Sequence, residues 1–259
     1  MATYWMIGAT HGIGRAVAEA ALQRGDTVWV SGRDTVALAE LEALYPGLAH
    51  GLRLDITDEA ERLAAVGALR AKAVTLDGVH IYAGAYNPKA VADWDWAACE
   101  AIIAVNLTGV LALVHAVLPQ LLTQNLPPQL VLCASVAGYV GLPNGQPYSA
   151  TKAALINFAE SLRAEMLARK ANSKRYLDVR VVNPGFVKTR MTAKNSFAMP
   201  MMVTPEAAAT AIWHQLGRPG FEVAFPRGFV WILKALRALP YRVYFVLAQR
   251  MGASSAPTR

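Results

Sequence analysis

Thr3-Tyr4-Trp5-Met6-Ile7-Gly8-Ala9-Thr10-His11-Gly12-Ile13-Gly14-Arg15 is the stretch on which the fold turns. A short apolar run ends at a glycine, two more glycines follow, and an amphipathic pattern begins at Gly12. The run has no basic segment before it and no small-residue cleavage pattern after it, so it is expected to be a first β-strand and not a signal sequence. Glycines at this spacing let the backbone turn tightly and approach a pyrophosphate, while amides at the helix start face the anion. Tight packing alone could use the same glycines. The position of the turn, closing a strand and opening a helix, favours phosphate binding.

Outward from this turn, apolar runs alternate with helical patterns. Strands are expected at 3–7, 27–31, 51–54, 78–82, 130–134, 179–182 and 222–225. Helices are expected near 12–24, 35–45, 58–72, 95–122, 150–168 and 205–216. Continuous apolar strands of this kind are buried on both faces, and their alternation with helices predicts a parallel sheet between helical layers. The expected fold is therefore α/β, a three-layer doubly wound (Rossmann) architecture with a seven-stranded sheet. Residues 1–228 are expected to form the dinucleotide-binding and catalytic domain. Residues 229–259 are expected to be a basic amphipathic helical extension whose extreme end is open to disorder. Thr57 or Asp58 is placed to cap one helix, and Thr204-Pro205-Glu206 has the hydroxyl, proline and acid of another helix start.

Composition narrows the function classes. With 54% hydrophobic and 17% charged residues in 259, the bulk of the chain is globular, not disordered. Cys99 and Cys133 are distant and in apolar surroundings, which suits two buried thiols in a reducing cytoplasm. No metal-ligand spacing is present. The net charge of +7 is concentrated near the end, where Arg218–Arg259 contain seven basic residues against the one acid Glu222. Large apolar residues interleave with these cations, so a nucleic-acid surface is not expected.

At the end of the second strand, Val30-Ser31-Gly32-Arg33 has no acid to meet a ribose 2′-hydroxyl. Glycine removes a repulsion there, and Arg33 supplies a planar cation for a 2′-phosphate. NADP(H) is thus favoured, with NAD(H) as the alternative because Asp34 follows and can offset the charge.

The reaction centre is expected at Tyr148-Ser149-Ala150-Thr151-Lys152, where tyrosine and lysine share one helix face. A neighbouring ammonium stabilises phenolate and lowers a tyrosine pKa, which suits proton transfer at a carbonyl oxygen. The spacing is common by chance, but other groups accompany it. Ser135 stands at the C-terminal end of the fifth strand, the edge where ligands bind in such sheets, and Asn183-Pro184-Gly185 follows the next strand. Asn106 lies inside a helical stretch, an unfavoured place for asparagine.

Gly8-x-x-x-Gly12-x-Gly14, Leu54-Asp55-Ile56-Thr57-Asp58, Ala83-Gly84, Asn106, Ser135, Tyr148-x-x-x-Lys152 and Pro184-Gly185-Phe186-Val187-x-Thr189 together resemble the single-domain short-chain dehydrogenase/reductase family. The matches keep the family's order and spacing over roughly residues 3–225. The resemblance implies hydride transfer between a nicotinamide and a carbonyl or hydroxyl carbon. Tyr148 would be the acid/base, with Lys152 lowering its pKa and holding the nicotinamide ribose. Ser135 would bond the substrate oxygen, and Asn106 would help hold a water leading protons to Lys152. Thr10, His11 and Ile13 belong to the phosphate turn. Asp55 and Ile56 would border the adenine, Ala83 and Gly84 the adjoining ribose, and Pro184, Gly185, Val187 and Thr189 the nicotinamide amide. Two stretches depart from the family pattern: Ile7 stands where a threonine is usual, and Ile81-Tyr82 stand where two asparagines are usual. The adenosine half is therefore expected to be held differently.

Beyond Thr189, Met191, Phe197, Met199, Met201 and Met202 would form an adaptable apolar lid over a hydrophobic substrate, with Met191 and Phe197 as substrate contacts. The stretch from Phe229 is interrupted by Lys234, Arg237, Pro240 and Arg242, which excludes a spanning helix and predicts two amphipathic helices broken at Pro240. Packing on the lid, on a partner subunit or on an anionic membrane all fit that pattern. The family resemblance implies a homodimer or homotetramer paired through the helices holding Asn106 and Tyr148. A cofactor-binding module without catalysis, or a membrane-surface relative of the family, are the alternative readings.

Overall fold

The structure, a computed structural model, describes residues 1–124, 127–173, 175–195 and 197–253. Seven parallel strands form one sheet: β1 (Thr3–Ile7), β2 (Thr27–Gly32), β3 (Ala49–Arg53), β4 (Gly78–Ile81), β5 (Gln129–Cys133), β6 (Asp178–Pro184) and β7 (Glu222–Phe225). Their order across the sheet is β3-β2-β1-β4-β5-β6-β7. The order reverses between β1 and β4, so the connections leave a crevice at the C-terminal ends of those strands.

Helices cover both faces. Successive strand residues point to opposite sides, and both sides are apolar. Trp5, Ile7, Leu130, Leu132, Val179 and Val181 face α3 (Glu59–Ala71), α5 (Gly109–Thr123) and α6 (Tyr148–Asn172). Met6, Val28, Val131, Val182 and Val223 face α1 (Gly12–Leu22), α2 (Thr35–Leu44) and α7 (Pro205–Leu216). His80 is a member of this second layer, wedged against Tyr4 and Trp213. Burial pulls its imidazole down to about 3, so it is a neutral core residue. Cys99 and Cys133 are both buried free thiols, as the sequence predicts.

Helix starts follow the expected capping chemistry. Asp58 accepts from the Glu61 amide at the start of α3, and Thr204 accepts from the Ala207 amide at the start of α7. Thr204→Ala is expected to cost about 1 kcal/mol of stability in denaturant melts. An unchanged midpoint would show that this cap contributes nothing.

The stretch expected as one helix over 95–122 is three pieces. α4 (Trp96–Ile103) passes into a π-helical turn, Ala104–Thr108, before α5 begins. Asn106 sits in that turn and is fully buried. The tail forms α8 (Arg227–Ala238) and α9 (Tyr241–Ala253), separated at Pro240. α8 is fixed by ion pairing of Lys234 with Glu222 and by a bond from Arg237 to the Tyr139 carbonyl at 2.8 Å. Tyr244 of α9 donates to the Gly141 carbonyl. The extreme end, Ser254–Arg259, lies outside the described residues.

Candidate active site

The turn after β1 sets the cofactor side of the site. Gly8 has φ of +73° and lies against the backbone of Ala83, where β4 ends. Its amide donates to the Ser31 carbonyl at 2.8 Å, and Trp5 donates through its indole to the Ser31 hydroxyl at 2.9 Å. The Tyr82 amide reaches the Ile7 carbonyl at 2.8 Å. These backbone and indole bonds tie the loops together where the departures at Ile7 and Ile81-Tyr82 remove polar side chains. α1 then opens with no side-chain cap among the described residues, leaving its first amides to face the cleft.

A cleft of about 530 Å³ runs along the sheet's C-terminal edge. Every residue expected at the cofactor lines it: Gly8, Thr10, His11, Gly12, Ile13 and Gly14 from the turn, Arg33, Asp55 and Ile56 from the β2 and β3 ends, and Ala83 and Gly84 after β4. Tyr148, Lys152, Pro184, Gly185, Val187 and Thr189 complete it, with Ser135 and Met191. Asn106 lies behind this wall, and Phe197 lines a neighbouring cavity.

Arg33 is 72% exposed, with its guanidinium 3.7 Å from the Asp55 carboxylate. Asp34, which the sequence left free to offset Arg33, is spent elsewhere. It caps α2 by accepting from the Ala37 amide at 3.1 Å and pairs with His11 at 2.8 Å. Those bonds hold its carboxyl below the usual range. The uncapped amides and the close-approaching glycine turn are donors suited to a pyrophosphate, and the Arg33 guanidinium stands at the β2 end of the same cleft.

At the reaction centre, Lys152 is buried and donates to the Cys133 carbonyl at 2.8 Å. Its ammonium lies 5.6 Å from the Tyr148 ring centre. The spacing led to the expectation of a lowered tyrosine pKa. Instead, burial pushes the Tyr148 phenol well above its ordinary value, with the Ser135 hydroxyl acting in the opposite direction. Burial also pulls the Lys152 ammonium down. Desolvation of the phenol is the largest cause of the rise at Tyr148.

Asn106 is a clamp. Its carbonyl oxygen accepts from the Ala85 amide at 2.6 Å, and its amide donates to the Ala85 carbonyl at 2.9 Å and to Thr151 at 3.2 Å. Both its donors are used, leaving one acceptor lone pair for the water-held path that the resemblance implies.

A second cavity, of about 470 Å³, opens beside the first. Ser135, Tyr148, Gly185, Met191 and Thr192 line both. Its remaining walls include Leu142, Phe186 and Phe197, with Phe229 and Leu233 supplied by α8. Phe186 contacts Phe197 and Phe229 at ring-centre distances of 5.9 and 5.2 Å.

A family model described as short chain dehydrogenase matches residues 3–199. The chain belongs to the short-chain dehydrogenase family. An uncharacterised oxidoreductase of Myxococcus xanthus is 34% identical over 254 residues, covering 96% of this chain and 97% of its own. A 3-oxoacyl-acyl-carrier-protein reductase of Aquifex aeolicus is 32% identical over 198 residues, 72% of this chain and 74% of the relative. A solved short-chain dehydrogenase of Burkholderia cenocepacia in complex with NADP superposes with a TM-score of 0.80 at 25% identity, covering 95% of this chain and 97% of that one. This chain is thus an oxidoreductase of a family that binds nicotinamide cofactors.

Within this short-chain dehydrogenase, contacts among three polar residues beside the site escaped sequence reasoning. Tyr86 sets its ring edge-on to Tyr148, 4.8 Å between centres, and donates its hydroxyl to Asn195 at 2.9 Å. Lys194 donates to the Tyr86 carbonyl at 3.1 Å, so the loop after β4 is tied to the lid segment. The contact joins positions 109 apart in sequence, and no local pattern signals it.

Proposed function

We propose that the chain is an NADP(H)-dependent oxidoreductase that interconverts apolar carbonyl compounds and their alcohols, with Tyr148 as acid/base. The observation that carries this reading is the meeting of the cofactor cleft and the apolar cavity at Ser135 and Tyr148. The NADP held by the Burkholderia cenocepacia neighbour and the reductase activity of the Aquifex aeolicus relative support it.

When bound, the reduced nicotinamide supplies hydride; the rest falls to side chains. Ser135 orients the substrate oxygen by hydrogen bonding. The Tyr148 phenol, kept protonated by its raised pKa, gives that oxygen its proton as the carbonyl is reduced. Lys152 would hold a ribose hydroxyl of the cofactor, and Asn106 keeps the Ala85 loop seated on α6. The aromatic wall of Phe186, Phe197 and Phe229 excludes water and selects apolar groups.

NADPH oxidation across a series of apolar ketones and aldehydes, with fluorescence titration of NADPH against NADH, tests the reading. The wild type is expected to bind NADPH the more tightly. Arg33→Asp is expected to weaken NADPH by about 10- to 100-fold, the loss of a charge-assisted phosphate contact, while leaving NADH within about threefold. Equal wild-type affinity for the two cofactors overturns the assignment of Arg33.

A further inference from the structure

We propose that the outer face of α8 and α9 docks on an anionic lipid surface. α8 is two-sided: Phe229 and Leu233 line the apolar cavity, whereas Trp231 and Ile232 point to solvent, Trp231 being 70% exposed. α9 rests on the body through Tyr244 and Ala248 and leaves Tyr241, Val243, Phe245 and Val246 exposed. Tyr241 and Phe245, 79% and 56% exposed, stack on one another at 5.9 Å on the same helical row. Single exposed apolar residues need no explanation, but six on two consecutive helices, three of them aromatic, leave much apolar surface open, with Tyr241 and Phe245 also lining a groove beside Leu142 and Pro143.

Charge identifies the cover. Beyond Glu222 the sequence contains no acid, and Glu222 itself is taken by Lys234. Arg227, Arg242 and Arg250 are exposed, and among the described residues no carboxylate pairs with them. Arg242, Val246 and Arg250 form one row of α9 beside the aromatic row, so cations border the apolar strip along its length. A second copy of the chain meeting this face would offer its arginines no free acid from the same segment, since none follows Glu222. An anionic bilayer neutralises the arginines at the headgroup level, while the tryptophan, tyrosine and phenylalanine enter the boundary with the acyl chains.

Flotation of the full chain with vesicles tests this and requires no turnover, so its outcome is independent of the reductase reading. Binding is expected to vesicles containing phosphatidylglycerol and to be much weaker with phosphatidylcholine alone. Each of Arg242→Glu and Arg250→Glu is expected to reduce partitioning at least about fivefold. Trp231→Glu with Phe245→Glu is expected to abolish it, with an unchanged circular dichroism spectrum and thermal melt as the check that the variant is folded. Vesicle binding unchanged in these variants overturns the proposal. So does a dimer that the same substitutions dissociate in sedimentation, when no vesicle binding accompanies it.

Discussion

Tyr148→Phe is expected to lower turnover by at least about a thousandfold while NADPH binds within about twofold of the wild type. The substitution removes one oxygen and keeps the ring that packs edge-on against Tyr86. The cofactor's other contacts, from Gly8 to Thr189, come from different elements and are untouched. The pH dependence carries a sign. Burial raises the Tyr148 pKa, so the phenol is protonated throughout the neutral range and reduction should be insensitive to pH there. Reduction should fall only as pH rises past that raised value. Alcohol oxidation begins from the phenolate and should climb with pH over the same region. Steady-state rates in both directions, with a fluorescence titration for binding, check all three. Substantial turnover by Tyr148→Phe would falsify the assignment of the acid/base.

The backbone of this design was legible in the sequence because it rests on local chemistry. Apolar runs buried on both faces and the glycine turn after β1 report on their own neighbours, and the strands appear within a few residues of their expected bounds. The residues expected at the cofactor line one cleft, most of them in or near the turns that follow strand ends, where short local motifs mark them. What escaped depends on distant packing. A π-helical turn has the composition of the helix around it, so nothing local shows that Asn106 is fully buried. The latch between Tyr86 and Asn195 joins two loops. The raised Tyr148 pKa was not legible because the i, i+4 spacing reveals the ammonium but not the desolvation of the phenol. Likewise, the amphipathic pattern of α8 reveals two faces but not that one of them closes the apolar cavity.

Gly8→Ala is expected to destabilise the fold by about 2–4 kcal/mol and to weaken NADPH more than about 100-fold. Two costs combine at this position. The φ of +73° is a left-handed conformation that any side chain resists. In addition, an added Cβ would lie 2.4 Å from the Ala83 nitrogen and 2.6 Å from its Cα, both backbone atoms. Backbone cannot rotate aside as a side chain can, so either the turn or the end of β4 must move. Movement of the turn breaks the bond from the Gly8 amide to the Ser31 carbonyl and misaligns the amides that open α1. Gly47→Ala separates the two costs, because Gly47 has φ of +78° with nothing within 4 Å of an added Cβ. That variant should lose only about 1–2 kcal/mol, from the backbone term, and bind NADPH like the wild type. Denaturant melts and NADPH titrations of the pair decide the matter. If Gly8→Ala matches Gly47→Ala in both measurements, the close approach of the turn to Ala83 is not what forms the phosphate site.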